Sequence, residues 1–99
     1  MVHVMATFIV KPNKLAEVRE AIGRFIDAVR DNEPDCLLYE SFQGEDDNSF
    51  VHLMSFEDEA AEARHNQTLH TRQFHELLEA VCNQGPIFAH LKLLRTTER

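Results

Sequence analysis

The chain has 99 residues, of which 43% are hydrophobic and 27% charged, with a formal net charge of −7. This composition excludes an intrinsically disordered chain, and the length predicts one domain over residues 1–99. The acidic balance and the lack of any basic run disfavour a nucleic-acid surface, because phosphate binding needs clustered Lys and Arg.

A strand and an amphipathic helix are predicted first. Residues 2–10 alternate between an apolar face and a face that includes Thr7, which is typical of a β-strand. A Lys-Pro-Asn turn should end this strand, with Asn13 as the N-cap of the next element. Apolar residues then recur at helical spacing, so we expect a helix over residues 15–32 that ends before Pro34.

A hairpin and a second helical region follow. Residues 36–42 and 50–56 read as strands, and the short polar loop between them predicts an antiparallel hairpin. Asp58 and Thr68 are placed to cap two consecutive helical segments. We expect Gln84-Gly85-Pro86 to end the second segment and residues 87–94 to form the last strand.

The order βαββαβ predicts an α+β, ferredoxin-like antiparallel sheet with two helices on one face. Both faces of strands one, three and four are substantially apolar. A monomer would therefore expose a large apolar patch on the side without helices. We expect a homodimer in which two sheets pack against each other through this open face.

One histidine lies on the more polar face of each of these three strands, namely His3, His52 and His90. The aliphatic faces suit the helices, so the histidine faces are expected to point toward the open side. A face that mixes apolar residues with a few polar groups is typical of small-molecule sites. The alternative is that the histidines lie at strand ends and contact water.

The cysteines Cys36 and Cys82 lack metal-binding or redox spacing, and we interpret them as buried, reduced thiols. The N-terminus shows no leader pattern, and the apolar stretch of residues 4–10 is too short to cross a membrane. These features predict a cytoplasmic protein without a membrane partner.

Four segments resemble, in order and spacing, those of the antibiotic biosynthesis monooxygenase domain family. The segment E-P-D-C-L-L-Y-E resembles the family's E-P-G-C-x-x-Y-E, and the segment from His65 resembles its H-x-x-S/T-x-H-x-x-x-F element. The turn at K-P-N-K and the strand end at F-E-D-E-A-A are similar to two further family elements. The four segments are Lys11–Lys14, Glu33–Glu40, Phe56–Ala61 and His65–Phe74.

The resemblance implies a dimeric α+β barrel with a pocket either between a sheet and its own helices or between the two sheets. Family members include oxygenases that act on quinols or anthrones without metal or flavin. Relatives degrade haem or isomerise small metabolites. Two departures stand out: Phe56 replaces a common tryptophan, and Thr7 replaces an asparagine of some haem-degrading relatives. Haem degradation is therefore disfavoured.

The histidines His65, His70 and His75 are spaced five residues apart. Steps of five rotate by about 140° on a helix, so the three cannot share a face, and this disfavours a metal site. His70 and Phe74 do share a face, which favours a pocket-facing His70. His65 could instead cap the preceding helix, and Tyr39 could either donate to a bound oxyanion or lie at a dimer interface.

We interpret the chain as a cofactor-independent monooxygenase of a small aromatic or quinol-like substrate, with dioxygen as the second substrate. The alternatives are a small-metabolite isomerase and a non-catalytic ligand-binding dimer on the same scaffold. No cofactor or metal is expected. The candidate base or hydrogen-bond donors are His52 and His70, and histidine suits a base because its pKa lies near neutrality. The candidate substrate-binding residues are Thr7, Tyr39, Phe56, His65 and Phe74.

Overall fold

The computed structural model describes all of residues 1–99, which form four strands and three α-helices. In chain order the elements are β1 Val2–Val10, α1 Leu15–Asn32, β2 Cys36–Gln43, β3 Ser49–Phe56, α2 Glu59–Gln67, α3 Leu69–Val81 and β4 Cys82–Leu91. A single 3₁₀ turn, Pro12–Lys14, precedes α1. None of the helices has the length and apolar character needed to cross a membrane.

The strands form one antiparallel sheet in the order β2-β3-β1-β4. This order places β1 and β3 in the centre and leaves β2 and β4 as edges. The predicted α+β, ferredoxin-like fold is confirmed. The second helical region consists of the two predicted segments, α2 and α3, which meet at Thr68.

The core lies between one face of the sheet and the helices. Along β1 every second residue is buried, from Val4 to Val10. Phe8 and Val10 pack against the apolar stripe of α1, whereas Val4 and Ala6 belong to a second, smaller cluster. That stripe consists of Val18, Ala21, Ile22, Phe25 and Val29. Burying each large apolar side chain contributes roughly 1.5–3 kcal/mol, so this layer is the main source of stability.

Local capping explains where the helices begin. The Asp58 carboxylate accepts a hydrogen bond from the backbone N–H of Ala61 at 2.8 Å, and the Thr68 hydroxyl accepts one from Thr71 at 3.2 Å. Both predicted caps are confirmed. The prediction for Asn13 is wrong: it lies within the 3₁₀ turn that Pro12 begins, and α1 starts at Leu15 without a side-chain cap. Pro12 suits the first position of such a turn because its φ is fixed.

The last strand differs from its prediction, since it starts at Cys82 directly after α3 and ends at Leu91. Gly85 and Pro86 therefore lie inside β4, where the register against β1 shifts. An edge strand at an irregularity tolerates proline. Gly85 has a φ of +88°, and an added Cβ would stand 2.7 Å from the carbonyl oxygen of Thr7, so only glycine fits.

The predicted orientation of the strand histidines is correct only for His3. His52 pairs with Ala6 and His90 pairs with Val4, so both lie on the face that the helices cover. The reason lies in the neighbours of His52 on its own face, Phe50, Met54 and Phe56, which are all at most 5% exposed. Burying these large side chains is worth more than burying the smaller aliphatic set of β3, so the aromatic face of the strand turns inward.

The open face of the sheet has no helix against it. Several large apolar side chains remain about half exposed there, namely Leu38, Phe42, Ile87 and Leu91. Thr7 lies on this face, opposite Val51 and Ile87.

Candidate functional site

One carboxylate holds two histidines. Glu33 follows the last turn of α1, and its Oε1 lies 2.7 Å from Nδ1 of His65 while its Oε2 lies 2.5 Å from Nε2 of His70. The Glu33 side chain is only 10% exposed and that of His65 only 4%. His65 comes from the last turn of α2 and His70 from the first turn of α3, so the helix junction presents both rings to Glu33.

This arrangement fixes which nitrogen of each ring carries the proton. A carboxylate accepts hydrogen bonds and cannot donate them, so Nδ1 of His65 and Nε2 of His70 must be the donors. In the neutral ring, Nε2 of His65 is then the basic nitrogen. Every fully buried polar side-chain atom in the chain has a hydrogen-bond partner, whereas Nε2 of His65 has none. This nitrogen is therefore not fully buried and is accessible.

His65 lines a cavity of about 270 Å³ between the sheet and the helices. Side chains from all four strands and from α2 and α3 line it, and half of them are hydrophobic. The lining residues that bear on chemistry are Tyr39, Phe56, Glu62, His65, His75 and His90. A mainly apolar cavity with a few converging polar groups is typical of a small-molecule site.

Burial keeps the imidazole of His65 basic but uncharged. Desolvation lowers the pKa of His65, and the neighbouring Glu33 carboxylate opposes this shift. Burial also lowers the pKa of His75. Near neutral pH both rings are therefore predominantly neutral and can accept a proton.

A second hydrogen-bonded group lies behind Tyr39. The Tyr39 hydroxyl is 2.9 Å from Nδ1 of His52, and the hydroxyl of Ser41 is 2.9 Å from Nε2 of the same ring. His52 is 1% exposed, and burial lowers its pKa to about 4. Burial strongly raises the pKa of Tyr39. Both groups are thus neutral, and both nitrogens of His52 are occupied.

His70 borders a different depression, a cleft of about 330 Å³ between α1 and α3. Its apolar wall includes Phe74 and Phe25, whose rings stack with centroids 4.4 Å apart. The centroid of the Phe25 ring lies 6.0 Å from those of both His65 and His70, so Phe25 packs near both histidines that Glu33 binds. His70 and Phe74 therefore share a face as predicted, and both line this cleft.

The predicted site residues divide into four places. Tyr39, Phe56 and His65 line the cavity between sheet and helices, whereas His70 and Phe74 line the cleft between the helices. His52 lies behind Tyr39 and does not line the cavity. Thr7 lies on the open face, on the other side of the sheet. No three side chains are arranged to hold a metal ion.

The sequence interpretation did not include Glu33 among the site residues. The available signal was its place at the start of the E-P-D-C segment, directly after a predicted helix end. Nothing in the sequence pairs it with histidines 32 and 37 positions later. Such a pairing depends on the packing of α1 against the α2–α3 junction.

The chain is similar to one known protein family and to several solved structures. The family model for antibiotic biosynthesis monooxygenases matches residues 1–77. No curated protein gives a significant match. A crystal structure of an antibiotic biosynthesis monooxygenase is 26% identical, with a TM-score of 0.88 over 96% of this chain and 100% of the other.

Two further structures show the same architecture. A protein from Pseudomonas aeruginosa is 25% identical, with a TM-score of 0.83 over 95% of this chain and 94% of the other. One from Caulobacter crescentus, provisionally described as an antibiotic biosynthesis monooxygenase, is 22% identical, with a TM-score of 0.87 over 95% and 90% of the two chains. The family model covers most of the sequence, and the neighbours extend the likeness to the fold. The chain therefore belongs to the antibiotic biosynthesis monooxygenase family.

Proposed function

We propose that this protein is a monooxygenase that oxidises a small aromatic or quinol-like substrate with dioxygen, without a metal or organic cofactor. Membership of the antibiotic biosynthesis monooxygenase family supports the general class of reaction. The observation that carries the proposal is the Glu33–His65 pair, in which a buried carboxylate binds Nδ1 of a histidine that lines the cavity and leaves Nε2 without a hydrogen-bond partner.

The reaction requires a substrate that becomes electron-rich on losing a proton. A phenol or an anthrone satisfies this, because its anion delocalises charge into the ring and can transfer an electron to dioxygen. For a methylene carbon flanked by two rings, the balance is R₂CH₂ + O₂ → R₂C=O + H₂O. One oxygen atom enters the product, the other leaves as water, and all four electrons come from the carbon that is oxidised.

His65 acts as the general base in this scheme. Its Nε2 removes the substrate proton, and the imidazolium that results is stabilised by the Glu33 carboxylate on Nδ1. A positioned base of this kind contributes typically ~10²–10⁴-fold to the rate. Its lowered pKa keeps the ring unprotonated and ready near neutrality.

Tyr39 stabilises the substrate anion. Its raised pKa keeps the phenol protonated, so it can act as a donor at the cavity wall. When His52 carries its proton on Nδ1, the ring donates to the Tyr39 oxygen and leaves the Tyr39 O–H free to point at substrate. In this scheme His52 is a positioning residue that acts through Tyr39, and Phe56 forms part of the apolar wall.

We also propose that the protein is a homodimer and that it lies in the cytoplasm. A second copy covers the open sheet face and removes its exposed apolar side chains from water, which gives a homodimer. We place the protein in the cytoplasm because both cysteines, Cys36 and Cys82, are unpaired, as expected in a reducing compartment.

One observation favours a second candidate, a small-metabolite isomerase. Three imidazoles, those of His65, His75 and His90, line the same cavity, so one could remove a proton while another returns it. An isomerase would consume no oxygen. A binding protein without catalytic activity would neither consume oxygen nor rearrange its ligand.

Oxygen uptake with a panel of hydroquinones and anthrones, in the presence of a chelator, tests the proposal. We expect uptake with at least one compound, incorporation of one labelled atom from ¹⁸O₂, and a loss of about 100-fold in the His65→Gln variant. Glu33→Gln should also reduce the rate, because its neutral amide stabilises the imidazolium less. The control is Glu20→Gln, an exposed carboxylate on α1 outside both the cavity and the open face, which should retain full activity.

Three results would redirect the assignment. Rearranged product without oxygen uptake would establish the isomerase, whereas unchanged uptake in His65→Gln would remove His65 as the base. Ligand binding without any turnover across the panel would favour the binding protein.

A further inference from the structure

A hydrogen-bonded pair joins α2 to the edge strand β4. Nε2 of His90 lies 2.7 Å from Oε2 of Glu62, and no other side chain is hydrogen-bonded to either residue. The Glu62 side chain is 19% exposed, whereas that of His90 is 66% exposed. The pair thus has one partner turned toward the interior and one turned toward water.

The Glu62–His90 pair lies between two cavities. On the inner side lies the cavity of about 270 Å³ that His65 and Tyr39 border. On the outer side lies a depression of about 460 Å³ that the first strand, Glu59 and Leu91 help to form. Glu62 and His90 are the only two residues that line both. The pair therefore stands at the boundary between the interior cavity and the surface.

The inner cavity is small for a ligand site, since such sites usually measure roughly 300–1,000 Å³. With the Glu62–His90 pair closed, the space beside His65 suits a compound with one or two rings. Because Glu62 and His90 line both spaces, opening the pair is expected to join the inner cavity to the larger outer depression. A compound with three fused rings then has room to place one ring near His65 and to extend outward.

We infer that Glu62 and His90 form the entrance of the substrate cavity and determine the size of substrate that it accepts. This inference rests on the proposed function, since it takes the inner cavity as the substrate site. The closed pair selects small quinols of one or two rings over three-ring anthrone-like compounds. Loss of either partner opens the entrance, because each side chain has only the other to hold it in place.

Ligand binding under argon tests this inference without requiring turnover. The probes are 2-naphthol, with two rings, and 2-hydroxyanthracene, with three, each followed by its fluorescence in a stopped-flow instrument. We expect faster association of both probes with Glu62→Ala and with His90→Ala. The ratio of the two dissociation constants should shift by about tenfold in favour of the three-ring probe.

The double variant Glu62→Ala/His90→Ala should resemble either single variant, because the first substitution already breaks the pair. The matched control is Glu59→Ala, which removes a carboxylate one turn earlier on α2. Glu59 lines only the outer depression. It should leave both the association rates and the ratio unchanged. Thermal unfolding establishes that each variant is folded.

The possible failures are distinguishable. Wild-type binding of both probes with the same ratio in all variants would overturn the entrance and leave the proposed function standing. An equal shift in Glu59→Ala would assign the effect to surface charge and would also overturn it. Wild-type protein that binds neither probe would remove the inner cavity as a ligand site, and both proposals with it.

Discussion

The Tyr39 hydroxyl lies 2.9 Å from Nδ1 of His52, and this contact joins the wall of the candidate site to the core of the sheet. His52 packs edge-on against Phe8, with ring centroids 5.0 Å apart, and parallel to Phe74 at 5.9 Å. The imidazole is therefore stacked on Phe74, packed against Phe8 in an edge contact, and held at both nitrogens by hydroxyl groups. Such a ring is stable in the neutral form and costly to protonate.

Acid should destabilise the protein through His52. Its pKa is about 4 in the folded chain and 6.5 when unperturbed, so between these values the unfolded chain binds more protons. Stability is then fully present above pH 6.5 and falls as the pH decreases toward 4. The expected loss from this residue is roughly 3 kcal/mol, a large part of a small domain's total. Urea unfolding at several pH values measures it.

The matched variant for this measurement is His52→Gln, which keeps a hydrogen-bonding side chain but does not titrate. The unfolding free energy of this variant should depend less steeply on pH over the same range, because about one proton fewer is taken up on unfolding. A shallower dependence should remain, because burial also lowers the pKa values of His65 and His75. Identical slopes for the variant and the wild type would show that His52 is not the group responsible.

The helix junction offers a second prediction, at Thr68. Its hydroxyl accepts from the Thr71 N–H at 3.2 Å. Its single proton has two acceptors within reach, the carbonyl of His65 at 2.9 Å and the Thr71 hydroxyl at 2.8 Å. Thr68→Ala should lower the free energy of unfolding by about 1 kcal/mol, the usual cost of losing an N-cap. Thr68→Ser retains the oxygen and should lose much less.

The same substitution should affect the site. Thr68 lies between His65 and His70, so loss of the cap loosens the two segments that present these rings to Glu33. We expect Thr68→Ala to reduce turnover more than Thr68→Ser at a temperature where both are fully folded. Equal turnover in the two variants would restrict the role of Thr68 to stability.

The elements predicted correctly from the sequence depend on local rules. The period-two pattern of β1, the helical stripe of α1, and the caps Asp58 and Thr68 are each encoded within a few neighbouring residues. The start of β4 was missed because Gly85 and Pro86 usually end an element. Here they occupy an irregularity whose shape depends on the backbone of β1.

The candidate site was less accessible to prediction because it depends on which face of a strand is buried. The alternation along β3 predicts two faces, and polarity alone suggests that the face with His52 is the outer one. The apolar area of Phe50, Met54 and Phe56 is larger, however, so that face is buried and His52 is buried with it. The Glu33–His65–His70 group joins residues distant in sequence, so no local pattern predicts it.

Gly85 provides a test of the irregularity in β4. Its φ of +88° is strained for any other residue, and an added Cβ would meet backbone atoms of β1, which cannot move aside as a flexible side chain would. Gly85→Ala should therefore lower the unfolding free energy by roughly 1–3 kcal/mol. Gly23→Ala is the control: no atom lies within 4 Å of its added Cβ, and in mid-helix alanine should stabilise instead.

The open face of the sheet leads to a prediction about assembly. Leu38 and Ile87 are 43% and 55% exposed, on opposite edge strands of a face that no helix covers. Sedimentation equilibrium should give twice the chain mass of 11.5 kDa, because association removes these side chains from water. Leu38→Lys places a charge in this interface and should shift the protein toward the monomer by at least ~1 kcal/mol per site.

Leu69→Lys is the control for that shift. Leu69 is 62% exposed at the start of α3, on the helix side of the sheet, so its substitution adds the same charge outside the predicted interface. This variant should sediment as the wild type does. If Leu38→Lys and Leu69→Lys behave alike, the effect is one of net charge and the open face is not the interface. A wild-type protein that stays monomeric at high concentration would exclude the dimer directly, and the exposed leucines would then need another partner.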